Sequence, residues 1–421
     1  MGGFDSLPIW SDPETRGPLS WYFDVATNRM PAKHLITRRI PCETPLDAPE
    51  EDLWEEHRRA TGRFLAVWER IRREELSLPG LATYSPSLLD LSAELARRML
   101  AHCNFCRWNC RVDRSQGTKH GTCQLEADSR VSSFFHHRGE EAVFRGTRGS
   151  GTIFFTSCNM RCGFCQNGDI SHDKENGMIA TPEVLAAMAR QLRLEGCHNI
   201  NFVGGEPTIH LHAILEAVRL LGSGYRPDRG TLERALDFKV DGDMAGKPNG
   251  SDYHGDLNAP LLWNSNFFMS EPTMRLLRPL FDAWLPDFKF GNPECAMRLS
   301  RTPWYFETVA KNHKALFDWN EAVVVRHLVM PNHVECCTKP VLGWIAKQMP
   351  GVPVNVMDQF HPDHGCNPQD RRFNPKLADI ARYPTAEELE EAFAYAESLK
   401  LNFAPLTFEK SLGRSRSVVH F

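Results

Sequence analysis

The chain has 421 residues and a formal net charge of −4, from 49 Lys and Arg against 53 Asp and Glu. That length carries two or three domains, or one large barrel with appendages, and a 42% hydrophobic fraction suffices for a sizeable core. The near-neutral balance excludes a dedicated nucleic-acid or acidic-membrane binder, and no apolar run approaches the roughly 20 residues that span a bilayer.

Residues 1–17 lack the basic and apolar regions of a signal peptide, so a cytoplasmic protein is expected. Met1, Gly2 and Ser6 fit the loose pattern for myristoylation at Gly2, but no polybasic stretch follows, and one acyl chain holds a protein only marginally on a membrane. Residues 1–100 read as a helical extension, Pro-rich at first. Within it, 50–75 carries Leu53, Trp54, Phe64, Leu65, Trp68 and Ile71 at helical spacing with charges between them, the pattern of a packing helix. A second helix over 85–100 leads into a Cys-rich segment, 101–150.

From residue 152 strands alternate with helices. The first strand spans 152–157. Thr181 is a good N-cap with Pro182 at the first helical position, and Gly196 suits the stop, so the helix between them feeds a second strand at 199–203. Further strands are expected at 260–268, 284–290, 322–330 and 352–360, with helices such as 271–281 and Lys339–Gln348 in the intervals, and Thr385 with Glu388 forms a capping box before a last helix ending near Lys400. Six strands in this alternation indicate an α/β fold, a parallel barrel or part of one over 151–400, followed by a tail at 401–421. Residues 222–258, rich in Gly, Asp and Pro with one short helix near 231–238, interrupt the rhythm and read as a surface insertion or a lid.

The thirteen cysteines, without an export signal, read first as metal or cluster ligands where they are grouped. Cys158, Cys162 and Cys165 occupy positions i, i+4 and i+7 on the loop after the first strand. Three thiolates so placed hold three irons of a 4Fe–4S cube and leave the fourth without a protein ligand, free for a substrate or cofactor. Strand C-termini are where parallel barrels build their active sites. The competing readings are a zinc knuckle short of one ligand and three incidental buried cysteines. Cys103, Cys106, Cys110 and Cys123 form a second group, suited to zinc or to a closed 4Fe–4S cluster, with unligated structural cysteines as the alternative. Arg107, Arg111, Arg114, Lys119 and His120 beside it make either a steering patch for an electron donor or a solvated face. Cys42, Cys197, Cys295, Cys336, Cys337 and Cys366 lack ligand-like spacing and are read as small buried apolar residues; a redox role for the adjacent Cys336–Cys337 pair has no other support.

The cysteine loop, with Phe164 before its last cysteine, resembles the radical SAM superfamily. The segments 152–158, 165–167, 198–201, 285–289 and 325–331 resemble its PflX-type branch, itself similar to the pyruvate formate-lyase activating enzymes. The resemblance runs in order from about Cys103 to Lys400. It implies a partial (β/α)6 barrel in which Cys158, Cys162 and Cys165 ligate three irons and the amino and carboxylate groups of S-adenosylmethionine chelate the fourth. Gly204-Gly205-Glu206-Pro207 resembles the family's GGEP edge, which holds the methionyl amino group; PflX-type chains often carry a Thr-Pro-rich version here, so this chain departs toward the wider superfamily form. Two glycines let the backbone approach a ligand closely, and Glu206 orders the strand end. Asn264 and Ser265 are candidates for the methionyl carboxylate or ribose, and Asp287 and Lys289 for the rim of the pocket. Arg326 is a candidate for a carboxylate, and Gln359 for adenine or substrate. For each the alternative is a satisfied polar residue inside the barrel. His327, His361 and His364 read as closing hydrogen-bond networks rather than as bases.

The implied activity is reductive cleavage of S-adenosylmethionine to a 5′-deoxyadenosyl radical that abstracts hydrogen, with a flavodoxin- or ferredoxin-type electron donor. The substrate is either a glycine in another protein or a small molecule. Two other classes compete: a two-site Fe–S electron-transfer protein, and a zinc-ribbon binding module on a non-catalytic barrel. Neither uses the open iron and the GGEP edge.

Overall fold

The computed structural model describes residues 8–242 and 250–408. Gly2, part of the 222–258 insertion and most of the tail lie outside them. Among the described residues, no helix is long and apolar enough to cross a membrane.

Seven strands build the frame: β1 (Arg130–His137), β2 (Ser150–Phe155), β3 (Ile200–Gly204), β4 (Leu261–Ser265), β5 (Ala283–Pro286), β6 (Val325–Leu328) and β7 (Val354–Met357). β2 to β5 pair in parallel, with Gly151 opposite Ile200, Ile200 opposite Leu261 and Leu262 opposite Ala283. β5 joins β6 through the parallel bridges Trp284–Val323 and Asp287–Arg326, and β6 pairs with β7. Six parallel strands therefore follow chain order around an open barrel, as expected. The sequence reading missed β1, which runs antiparallel along β2 with Phe134 opposite Ile153 and pairs on its other side with the short strand Met178–Ile179.

The helix boundaries follow local signals. Thr181 Oγ1 accepts from Val184 N, Gly196 takes φ +97° beyond the helix end, and Thr385 with Glu388 closes both bonds of a capping box. Ser87 and Asp90 form a second capping box before Leu88–Met99.

Alternate residues of a strand face the same side, which divides the barrel interior into two layers. Leu262, Ala283, Leu285 and Val324 pack with Trp10, Tyr22, Phe23 and Phe144 in one buried apolar cluster. Asn199 Nδ2 donates to Tyr22 Oη and to the Phe144 carbonyl, both at 2.8 Å. Two residues further along their strands, Asn264 and Arg326 share that face and reach the polar end. The N-terminal extension is thus a plug under the strands' N-terminal ends. Trp21 Nε1 and Lys33 N both donate to Asp282 Oδ1 at 3.0 Å, and Lys33 pairs with the buried Glu321 at 2.5 Å.

The described parts of the insertion are not a lid. They connect the end of helix Leu211–Gly222 to the start of β4, so they emerge at the opposite end of the barrel from the cysteine loop. Asn258 accepts from Ala32 N at 2.8 Å and donates to the Met30 carbonyl at 3.1 Å, while Asp256 pairs with Arg39 at 3.2 Å.

His57, His313 and His327 are buried, and burial lowers each to about 4 from an ordinary 6.5. Their bonds suit neutral rings: His313 Nδ1 donates to the Val309 carbonyl, and His327 Nδ1 to that of Phe288. An unfolded chain takes up protons below about pH 6.5 while the folded one does not. Stability is therefore present above that pH and lost as pH falls toward 4, at roughly 1.4 kcal/mol per pH unit per histidine. The melting temperature at pH 5.5 should lie well below that at pH 7.5; equal values by circular dichroism would mean that the rings are charged inside the fold.

Candidate active site

The loop leaving β2 turns at Ser157, which takes φ +63°, and delivers Cys158, Cys162 and Cys165 to the C-terminal mouth of the barrel. Cys158 and Cys162 are buried and Cys165 is half-buried. Burial raises all three thiols, Cys162 to about 12; the Glu206 charge adds to the effect at Cys158, as does Cys165 at Cys162. Metal ligation is what ionises thiols so placed. Donors are aimed at the sulfurs: Met160 N lies 3.3 Å and Asn266 Nδ2 3.6 Å from Cys158 Sγ, and Ser171 Oγ lies 3.2 Å from Cys165 Sγ. Hydrogen bonds to sulfur of this kind set the potential of an Fe–S cluster. The three thiols do not all lie within 4.8 Å of one another, a wider spread than the roughly 3.8 Å between sulfurs on one zinc ion. The donor set fits a cluster better than a single ion.

From these thiols a cavity of about 370 Å³ opens over the strand ends. Gly204, Gly205, Glu206, Asn264, Ser265, Asp287, Lys289, Arg326 and Gln359 all line it; Pro207 does not, being buried behind Glu206. The two glycines have a different reason from the one the sequence suggested. A Cβ on Gly205 would sit 1.7 Å from the Ser157 carbonyl oxygen, and one on Gly204, at φ +112°, 2.4 Å from Phe155 N and O. Both are demanded by the backbone that leads into Cys158. Glu206 is occupied within the protein: Oε1 accepts from Ser265 Oγ (2.7 Å) and Thr208 Oγ1 (2.5 Å), and Oε2 from Asn266 N (2.9 Å). It ties the end of β3 to the loop after β4.

On the opposite wall Arg326 Nε donates to Asp287 Oδ1 at 2.8 Å and its NH2 to Asn264 Oδ1 at 2.5 Å, while Lys289 bonds Asp287 Oδ2. These two cations hold the Asp287 carboxyl low against its burial. Glu140 and Glu141, which the sequence reading missed, form part of the lining. They lie on the β1–β2 connection as it dips into the barrel. Asn201 Nδ2 donates to Glu140 Oε2 at 2.6 Å, and Arg326 stands 3.6 Å from Oε1. Burial and the Glu140 charge push Glu141 well up, whereas hydrogen bonds from Glu141 and His137 hold Glu140 low against its burial.

In the first group, burial and the charges of Cys103, Cys123 and Cys110 raise the Cys106 thiol. Their segment packs directly on the cysteine loop. Trp108 Nε1 donates to the Asn159 carbonyl (2.7 Å), Arg161 NH2 to that of Thr122 (2.6 Å) and Ser157 Oγ to that of Cys123 (2.6 Å). Arg107, Arg111, Lys119 and His120 are exposed there. Arg114 is buried and bonded to the Ile209 and Glu126 carbonyls, so it belongs to the scaffold and not to a steering patch. His327 and His364 are bonded within the protein as expected, His364 to His172.

A family model described as the radical SAM superfamily matches residues 152–345. An uncharacterized protein of Methanocaldococcus jannaschii is 34% identical over 390 residues, covering 91% of this chain and 98% of that one. The chain belongs to the radical SAM superfamily. Enzymes of this superfamily use a 4Fe–4S cluster and S-adenosylmethionine. Among solved structures, a domain of pyruvate-formate lyase-activating enzyme from Bacteroides vulgatus is 13% identical, with a TM-score of 0.27 over 34% of this chain and 80% of that one. Streptococcus suis SuiB bound to S-adenosylmethionine is 12% identical, with a TM-score of 0.38 over 59% of this chain and 48% of that one.

Proposed function

We propose that this radical SAM enzyme holds its 4Fe–4S cluster on Cys158, Cys162 and Cys165 and binds S-adenosylmethionine in the cavity of about 370 Å³ beside them. The observation that carries the reading is that the buried Cys158 and Cys162 and the half-buried Cys165, with donors aimed at the sulfurs of Cys158 and Cys165, open directly onto a polar cavity at the barrel mouth. When bound, the cluster and S-adenosylmethionine supply a 5′-deoxyadenosyl radical for hydrogen abstraction from the substrate. The protein's own part is binding, orientation and exclusion of water. The Gly204–Gly205 backbone edge faces the methionyl amino group, and Arg326 and Lys289 supply positive charge for its carboxylate. Asn264 and Ser265 limit the ribose, and Gln359 lies at the rim for adenine or substrate. Asp287 positions the two cations, and Glu140 and Glu141 add a carboxyl pair to the cavity wall.

Cys103, Cys106, Cys110 and Cys123 are read as a second metal or cluster site, placed behind the cysteine loop where a flavodoxin- or ferredoxin-type donor would deliver electrons. The PflX-type segments make a glycine of another protein the first substrate class to test, ahead of a small molecule, because the described insertion closes nothing over the cavity.

The test is anaerobic reconstitution followed by EPR of the reduced protein with and without S-adenosylmethionine. A 4Fe–4S signal that changes on adding it is expected, together with 5′-deoxyadenosine among the products. A signal indifferent to S-adenosylmethionine would leave the electron-transfer reading in its place.

A further inference from the structure

Four side chains outside the cavity converge where the loops after β5 and β6 meet. Cys295 starts the helix Pro293–Ser300; His333, Cys336 and Cys337 lie on the turn that follows β6. Cys295 Sγ is 3.7 Å from Cys336 Sγ, which is 4.0 Å from Cys337 Sγ. His333 Nδ1 lies 3.1 Å from Cys336, 3.5 Å from Cys295 and 3.7 Å from Cys337. All four ligand atoms fall within 4.8 Å of one another, and among the described residues no other set of three or more His, Cys, Asp or Glu does so. A tetrahedral zinc ion with bonds of about 2.3 Å to sulfur and 2.0–2.1 Å to nitrogen sets its sulfurs about 3.8 Å apart and each sulfur about 3.5 Å from the nitrogen.

We propose that Cys295, His333, Cys336 and Cys337 bind one structural zinc ion. Three soft thiolates and an imidazole select this metal over magnesium or calcium, and four protein ligands leave no open position for catalysis. Zinc replaces three thiol protons, so the centre carries one net negative charge, with Arg298 beside it. The backbone is shaped for the site. Cys337 N and Thr338 N both donate to the His333 carbonyl, at 2.9 and 3.1 Å, a π-type turn that brings two adjacent cysteines onto the face of their histidine. Gly291 is pressed against it: a Cβ there would lie 2.7 Å from the Cys336 carbonyl oxygen. Asn292 Nδ2 donates to Cys295 Sγ at 3.3 Å and to the Cys336 carbonyl at 2.8 Å.

The outer nitrogen of the histidine completes the arrangement. With Nδ1 on the metal the ring proton sits on Nε2, which faces Asp379 Oδ2 at 3.3 Å, the carboxylate partner that orients many zinc-bound histidines. Arg298, now 2.8 Å from Nε2, keeps its two 2.7 Å bonds to Asp379 and gives up that third one.

The site would brace the cysteine loop. The helix that begins near Cys295 ends at Leu299 and Ser300, whose carbonyls accept from Gly163 N (2.9 Å) and Arg161 N (3.1 Å). The turn carrying Asp379 also carries Leu377, whose Cδ1 occupies the place a Cβ on Gly163 would need, 2.2 Å away. One ion would thus fix two supports of the loop that bears Cys158, Cys162 and Cys165.

The test uses the full chain purified anaerobically, with zinc counted per chain and examined by X-ray absorption. One zinc with three sulfurs at about 2.3 Å and one nitrogen at about 2.0–2.1 Å is expected. Cys295→Ser and Cys336→Ser should each lower retention of the zinc with a nitrogen ligand at least tenfold, Cys42→Ser should leave it, and Asp379→Asn should weaken retention against a chelator by about 10–100-fold. Two zinc ions per chain, one of them with a nitrogen ligand, would support the proposal. Zinc with four sulfurs alone would belong to Cys103, Cys106, Cys110 and Cys123 and would overturn it. So would a zinc-free protein, or one with Cys295 and Cys336 joined as a disulfide. The sulfur–nitrogen count is read on the unmutated chain, so it decides the ligand set even where a variant fails to fold.

Discussion

Cys162→Ala is expected to abolish the S-adenosylmethionine-responsive EPR signal and reduce 5′-deoxyadenosine formation below about 1% of the unmutated rate. Each of the three protein-bound irons of an open cube needs its own thiolate. Cys162 sits in the middle of the loop, buried, with neighbouring thiols at Cys158 and Cys165 and the Asp287–Lys289 pair beyond. Removing it leaves two thiols, which hold a cube poorly, and iron should fall by about four per chain, to about four where the first cysteine group also carries a cube and to near zero where it does not. Cys42→Ala is the control. It removes a cysteine of similar burial that packs in the apolar core and bonds only the Thr44 carbonyl, and it should leave the signal unchanged. Zinc should be retained in both variants if Cys295, His333, Cys336 and Cys337 hold it. Persistence of the responsive signal in Cys162→Ala would sink the assignment of this loop.

Gly205→Ala should be nearly as damaging, through the backbone instead of through a ligand. The methyl group would be placed 1.7 Å from the Ser157 carbonyl oxygen and 2.6 Å from the carbon it is bonded to. The obstacle is main chain and cannot rotate away, so β3 and the cysteine loop must separate. Overpacking of this severity costs about 3 kcal/mol or more. The displaced atoms immediately precede Cys158, so cluster content should drop together with stability. Gly80→Ala, where nothing lies within 4 Å of the added carbon, should change neither by more than about 0.5 kcal/mol in urea titration. A Gly205→Ala chain with normal iron content and normal unfolding midpoint would mean that the tight crossing of β3 over residues 155–157 is absent in solution.

Local signals carried much of this protein into view. The six parallel strands were legible because a buried β-strand is a short apolar run and helical segments lie between them. Thr181 with Pro182, and Thr385 with Glu388, cap the helices they were expected to cap. The cysteine loop was legible because its three cysteines lie within eight consecutive residues, close enough for spacing alone to imply convergence. The strand-end residues Asn264, Asp287 and Arg326 followed from knowing which end of each strand faces the mouth.

What depended on contacts distant in sequence was not legible. Glu140 and Glu141 sit in a connection that looks like any polar loop, and only the closing of the barrel around it brings them to Asn201 and Arg326. The insertion at 222–258 had the composition of a lid, but composition does not say at which end of the barrel a loop emerges; that follows from its lying between a helix end and a strand start. Arg114 looked like one of several surface cations until folding buried it against two carbonyls. Cys295, Cys336 and Cys337 were read as packing residues because no ligand spacing connects them. The helix after β5 and the π-type turn after β6 bring them to His333 across 38 positions. The sequence by itself determined the strand series, the helix caps and the cysteine loop, since each rests on residues within one turn or one strand of one another. The tertiary structure alone decided the floor of the cavity, the plug beneath it and the second sulfur-rich centre, because these are assembled from side chains that only the curvature of the barrel brings together.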